Sequence, residues 1–199
     1  MTKYQKWQTT DSRYIVNDRW MKLRADTCVT PEGHTLDPFY VIEYGDWVNC
    51  FVVDTDNNAV MIRQYRHGVD EYVLEVVAGA AEIHDASFEE SVRRELKEEL
   101  GYVGGEVVQT GVSYANPSSQ TNKIYSFLAF GGSCAEEQSL EPGESLYIEK
   151  MPFAEVVQLM SDPDSGELFQ SINLANLFFA MNYIRASDDQ RLKVLRDSI

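Results

Sequence analysis

Cysteine and positive charge are scarce in this chain, and each shortage removes a class of function. Only three cysteines occur, Cys28, Cys50 and Cys134, far apart and with no CxxC spacing. A dispersed odd set argues against a disulfide framework or a zinc site, and for reduced thiols in a cytoplasmic protein. No apolar run reaches the roughly 18–20 residues that span a bilayer. The opening MTKYQKWQTT has no apolar stretch that would suit a signal peptide. The chain has 17 Lys and Arg against 32 Asp and Glu, a formal net charge of −15. Such a surface repels phosphate backbones, so neither a nucleic acid nor a membrane is expected as partner. An anionic ligand would need metal ions and a few placed arginines to overcome the field. Repeats and low-complexity tracts are also lacking.

What remains is ample for a globular fold. Hydrophobic residues make up 44% of the 199 positions and aromatics 12%, enough for a packed core. Residues 13–53 alternate apolar and polar positions around the turn TPEGHT, which predicts a β-rich segment. DTDNNAV predicts a hairpin turn into the strand VMIRQYR, and EYVLEVVAG a further extended segment. After a helix come the strands VVQTGVSYA and KIYSFLAFGG, with NPSSQTN between them. An acidic loop, SLEPGE, leads to the strand SLYIEKMPF. PFAEVVQLM and SINLANLFFAMNYIRA then carry helical spacing, and the tail SDDQRLKVLRDSI reads as polar, frayed or a last helical turn. The order predicts an α+β fold with helices flanking a mixed sheet.

The stretch GAAEIHDASFEESVRRELKEELGY, Gly79–Tyr102, concentrates the chemistry. Ser87 and Glu90 form a capping box, Phe88, Val92, Leu96 and Leu100 recur every four residues, and Gly101 suits a helix C-terminus. A helix over 88–100 follows. Glu95, Glu98 and Glu99 stand at i, i+3 and i+4 near the negative end of that helix, where like charges repel. A hard divalent cation would relieve the repulsion, with a diphosphate completing its oxygen shell, and Arg94 would brace a carboxylate or contact phosphate. The same pattern also suits an exposed acidic helix neutralised by Arg93, Arg94 and Lys97.

Arg94-Glu-Leu-Lys-Glu-Glu-Leu-Gly-Tyr102 resembles the second half of the Nudix box, G-x5-E-x7-R-E-U-x-E-E-x-G-U, where U is aliphatic or aromatic. LEVVAG before it resembles the LELPAG segment of the ADP-ribose and nucleotide-sugar pyrophosphatase branch, and RQYR (63–66) lies upstream as in that branch. The resemblance covers nearly the whole chain. It implies an α/β/α sandwich with a mixed sheet, and a division into an N-terminal β-rich dimerisation segment over 1–53 and a hydrolase domain over 54–199. The first half of the box departs from the pattern. Its glycine should fall at Ala80 and its glutamate at Ala86, whereas Gly79 comes one residue early and Asp85 neighbours the missing carboxylate. In the family the second half supplies the metal ligands, so catalysis is expected to survive.

The resemblance implies hydrolysis of the pyrophosphate bond of ADP-ribose or a related nucleotide sugar by a Mg²⁺-dependent (Mn²⁺ possible) homodimer. Glu95, Glu98 and Glu99, with the Ala78 carbonyl, would hold metal; Arg94 and Glu98 would be catalytic; Arg66, Trp20 and Lys123 would contact substrate. For Arg66 the alternative is a surface salt bridge, for Trp20 and Trp47 core or interface packing, and for Lys123 plain solvation. His67 and His84 are weaker phosphate contacts. The general base is open, because Asn122 stands where the branch often places a glutamate and an amide takes no proton. Glu98 or the acidic loop Glu136–Glu144 would replace it. Other diphosphates such as GDP-mannose, or sensing without cleavage, are the competing functions.

Overall fold

The computed structural model describes residues 4–140 and 143–199. Glu141 and Pro142, in the acidic loop expected before the last strand, lie outside the described residues. The chain divides into two compact units, Met1–Asp46 with Tyr114–Lys123, and Trp47–Ser113 with Ile124–Ile199.

The first unit is a three-stranded antiparallel sheet of β1 (Gln8–Asn17), β2 (Lys22–Val29) and β3 (Thr35–Ile42), in that order. Both outer strands expose apolar side chains: Tyr14 and Ile15 on β1 and Tyr40 on β3 are each about half exposed. The loop 114–123 belongs to this unit because it is tied to the end of β3. Ile42 donates its N–H to Ser119 O and accepts from Thr121, and Lys123 N–H reaches Asp46 Oδ1 at 2.8 Å.

The second unit is the sandwich. Its seven-stranded sheet runs β10 (Leu146–Pro152), β5 (Asn58–Arg66), β4 (Trp47–Asp54), β9 (Lys123–Cys134), β8 (Tyr102–Tyr114), with β6 (Glu71–Glu75) on β5 and β7 (Val77–Ala80) on β4. The sheet is mixed, since β4 pairs parallel with β9 and antiparallel with β5 and β7. From Val48 onward β4 is buried at every position, as a strand covered on both faces must be. Val48, Cys50 and Val52 meet Val92, Leu96 and Leu100 of α1 (Phe88–Leu100) on one face. Phe51 and Val53 meet α2 (Phe153–Ser161) and α3 (Ser171–Ala186) on the other.

One sequence expectation shifts, and of the two readings of the tail the last helical turn is met. The border expected after residue 53 falls at Asp46, because β4 hydrogen-bonds to three strands of the sandwich and to none of the N-terminal sheet. The tail ends in a 3-10 turn (Gln190–Leu192) and α4 (Lys193–Asp197), whose Leu192 and Leu195 are buried in the α3-side core. Two leucines among charged residues are too few for a periodicity signal, yet enough to dock a single turn.

Candidate active site

Helix α1 is anchored at both ends. Ser87 Oγ accepts from Glu90 N–H at 3.1 Å, and Glu90 Oε2 accepts from Ala86 N–H at 2.6 Å, one residue ahead of the usual capping-box partner. Gly101 sits in the left-handed region at φ +59° and its N–H bonds to Lys97 O. The chain after β9 then covers the helix end. Ser139 N–H donates to Glu98 O at 2.9 Å and the Gln138 amide to Glu99 O at 2.6 Å, satisfying carbonyls that a helix C-terminus leaves open.

The helix presents its carboxylates to β7. Glu95 lies so close over Gly79 that a Cβ there would stand 2.1 Å from Glu95 Oε1, so any larger residue would push the Glu95 carboxylate off its place. Gly79 therefore carries the close approach, although it comes one place early by the box count. The extra residue is taken up in the turn before α1, where Asp85 accepts from Glu82 N–H at 3.0 Å and lies 3.5 Å from Arg94. Arg94 ties turn and helix together. One guanidinium nitrogen donates to Glu95 Oε1 at 2.8 Å and Glu98 Oε2 at 3.0 Å, while the other donates to Ala80 O at 3.1 Å and faces Asp85. Ala86 contributes its N–H to the helix cap and has no carboxylate to offer.

Charge is held here against its preference. Burial, above all, pushes the Glu99 carboxyl up to about 9; the charges of Glu95 and Glu144 add to this, while Arg66 and the Ala78 backbone oppose it. Burial likewise pushes Glu95 up to about 7 against the pull of Arg94. Glu99 Oε2 is buried and meets no donor among the described residues. Among those residues no three His, Cys, Asp or Glu side chains are gathered at metal-ligating spacing. The donor set nonetheless suits a hard divalent cation: clustered carboxylates, one with an orphan buried oxygen, which a cation would hold in the ionised form.

Arg66, at the end of β5, is fixed by Glu75, which is 3% exposed and accepts from Arg66 Nε at 2.9 Å and Nη2 at 2.6 Å. Its charge reaches Glu99. The sequence reading did not single out Glu75; its place in LEVVAG was the available signal. Arg66, Ala78, Arg94, Glu95, Glu98 and Glu99 are thus gathered in the sandwich. Trp20 and Lys123 belong to the N-terminal unit, where Trp20 is 75% exposed, lies under Arg19 and lines a cavity of about 360 Å³. Asn122 is buried with both amide atoms unpartnered among the described residues. His67 lies against Tyr65, and His84 is exposed on the turn before α1.

This sandwich, with its charged helix laid over a glycine-bearing strand, defines a class. The NUDIX domain profile matches residues 43–172, and the nucleoside diphosphate sugar hydrolase N-terminal domain matches residues 7–42. The chain belongs to the NUDIX family and is a hydrolase. It is 26% identical to the methanol dehydrogenase activator of Bacillus methanolicus over 164 residues, covering 81% of this chain and 87% of that one. It is 22% identical to the ADP-ribose pyrophosphatase of Bacillus subtilis over 149 residues, covering 74% and 76%. Its fold is shared with a solved ADP compounds hydrolase at a TM-score of 0.76 and 22% identity, over 93% of this chain and 97% of that chain.

Proposed function

We propose that this hydrolase cleaves the pyrophosphate bond of ADP-ribose or a related nucleotide sugar with Mg²⁺, adding water across P–O–P to give two phosphomonoesters. The observation that carries the reading is Glu95 laid over Gly79 beside the buried Glu99, whose Oε2 has no partner among the described residues. Glu95, Glu98, Glu99 and the Ala78 carbonyl would hold the cation. When bound, it supplies charge neutralisation on the diphosphate and a more acidic water.

The chain's own groups do the rest. Glu75 holds the Arg66 guanidinium in one pose, ready to take a phosphate oxygen by a charge-assisted hydrogen bond. Arg94 holds Glu95 and Glu98 through one guanidinium nitrogen, at 2.8 and 3.0 Å. Two groups suit the proton acceptor, Glu98 and Glu144. We assign the role to Glu144, whose charge reaches both Glu95 and Glu99, because Glu98 is committed to Arg94 and the cation. Within the N-terminal unit, Trp20 with Arg19 offers a flat cationic face beside its cavity.

The exposed Tyr14, Ile15 and Tyr40 support a homodimer through the N-terminal sheet. Light scattering at micromolar concentration should give twice the 22.7 kDa chain mass, and a monomer would refute it. The three free cysteines suit a reducing cytoplasm. None of the described helices is long and apolar enough to cross a membrane.

A panel of ADP-ribose, GDP-mannose and a dinucleotide with Mg²⁺, assayed for released phosphomonoester, tests the function. Turnover of ADP-ribose above the others is expected. A second reading, sensing without cleavage, is favoured by Ala86 in place of the box glutamate; binding with no product from any substrate would establish it.

A further inference from the structure

On the face of the sheet away from α1, four polar side chains are sealed in the core. Asn49 on β4, Ser126 on β9, and Asn173 and Asn176 on α3 are each 0–1% exposed. Asn49 and Ser126 are direct neighbours in the parallel pairing of β4 with β9. Asn49 Nδ2 donates to Ile172 O at 3.1 Å. Asn176 Nδ2 donates to Asn49 Oδ1 at 3.0 Å and to Phe127 O at 3.1 Å. Asn173 stands one residue from Ile172 and about one helical turn before Asn176 on the buried side of α3.

These bonds fix which way each amide points. Asn176 must turn its nitrogen to the backbone carbonyls of Phe127 and Asn49 and to Asn49 Oδ1, which leaves its own Oδ1 over. Among the described residues Asn176 Oδ1, Asn173 Oδ1, Asn173 Nδ2 and Ser126 Oγ meet no protein partner. Two of these are acceptors, one is a donor, and the hydroxyl serves as either. A dry cluster would leave all four desolvated, which native cores rarely tolerate. A cation would suit the oxygens but would repel the Asn173 amide hydrogens, and among the described residues no carboxylate is bonded to the cluster to balance its charge.

We propose that Asn173, Asn176 and Ser126 enclose an internal water site, in which a bound water donates to the two amide oxygens and accepts from Asn173 Nδ2 and the Ser126 hydroxyl. Two donors and two acceptors are the complement of one water molecule, and buried waters typically make about three such bonds. Asn49 also pairs in register with Ala78 on β7. The water thus fastens α3 to β9 through Ser126, beside the Asn49 position of β4.

The direct test is a crystal structure of the unmodified chain at a resolution that places ordered solvent. Density for a water within hydrogen-bond distance of Asn173 and Ser126 is expected; a dry cluster, or amides paired directly with one another, overturns the proposal. Substitution reads the same point by sign. If the amide is hydrated, Asn173→Leu removes satisfied bonds and lowers Tm by about 3 °C or more. If the amide is buried without partners, the leucine removes a burden and Tm rises, which also overturns it. Ser126→Ala, with little change in volume, should lower Tm less than Asn173→Leu and keeps the test open should the leucine variant fail to fold.

Discussion

The two faces of the central sheet bury polar groups in opposite ways. Under α1 the buried groups are ionisable carboxylates with raised proton affinity and an orphan oxygen. Under α3 they are neutral amides and a hydroxyl, which bond in part to one another and to backbone carbonyls and leave four uncharged atoms without a protein partner among the described residues. A buried dipole is satisfied by neighbours at modest cost, whereas a buried charge needs a counter-charge. The α3 face is accordingly built for stability. The α1 face leaves its electrostatics unfinished, which is what a site completed by a cation requires.

The sharpest way to break this contrast is Glu99→Gln. It removes one anionic oxygen donor and should reduce kcat roughly 10³-fold at saturating Mg²⁺, about 4 kcal/mol of barrier. Near wild-type turnover would remove Glu99 from the site. The same variant tests the electrostatics without metal. The folded state holds Glu99 and Glu95 at about 9 and about 7, above their ordinary 4.5, so it binds more protons than the unfolded chain. Metal-free stability should therefore be greatest below about pH 4.5 as far as these groups are concerned, and fall as pH rises toward 9. Thermal melts of Glu99→Gln across that range should show a flatter decline, and an equal slope would contradict the burial effect.

Glu144→Gln comes next. Loss of a general base should lower kcat by roughly 10²-fold while leaving KM little changed. If Glu98→Gln alone flattens the basic limb of the pH–rate profile, the proton goes to Glu98 instead. On the opposite face Asn176→Leu should do the reverse of Glu99→Gln. It strips the donor from Asn49 Oδ1 and from the Phe127 carbonyl, and should destabilise by about 1–3 kcal/mol in a denaturant melt with turnover unaltered. A loss of turnover without loss of stability would merge the two faces into one functional unit.

The smallest effect is expected at Ala86→Glu. Asp85 already meets Arg94, and Ala86 supplies only its N–H to the helix cap. Restoring the glutamate of the family pattern should change kcat less than about tenfold, or about 1.4 kcal/mol. Activity switched on in an otherwise inactive protein would favour the sensing role.

Much of this contrast was legible in the chain. Ser87, the four-residue apolar stripe and Gly101 determined α1 to the residue, since caps and periodicity are local properties. The spacing of Glu95, Glu98 and Glu99 placed three carboxylates on one helical face, and α3 emerged from its apolar run with its full extent. Tertiary structure decided the rest, because it depends on partners distant in sequence. Glu75 as the anchor of Arg66 is set by the pairing of β5 with β6. Assignment of β4 to the sandwich is set by three neighbouring strands, and docking of the tail by two leucines that no periodicity marks. Gly79 as the seat of Glu95 could not be read from a box count shifted by one residue, because only the turn's path shows where the insertion is absorbed. Local signals write the helix; which carboxylate is buried, and how much its proton affinity rises, is set by what the sheet brings against it.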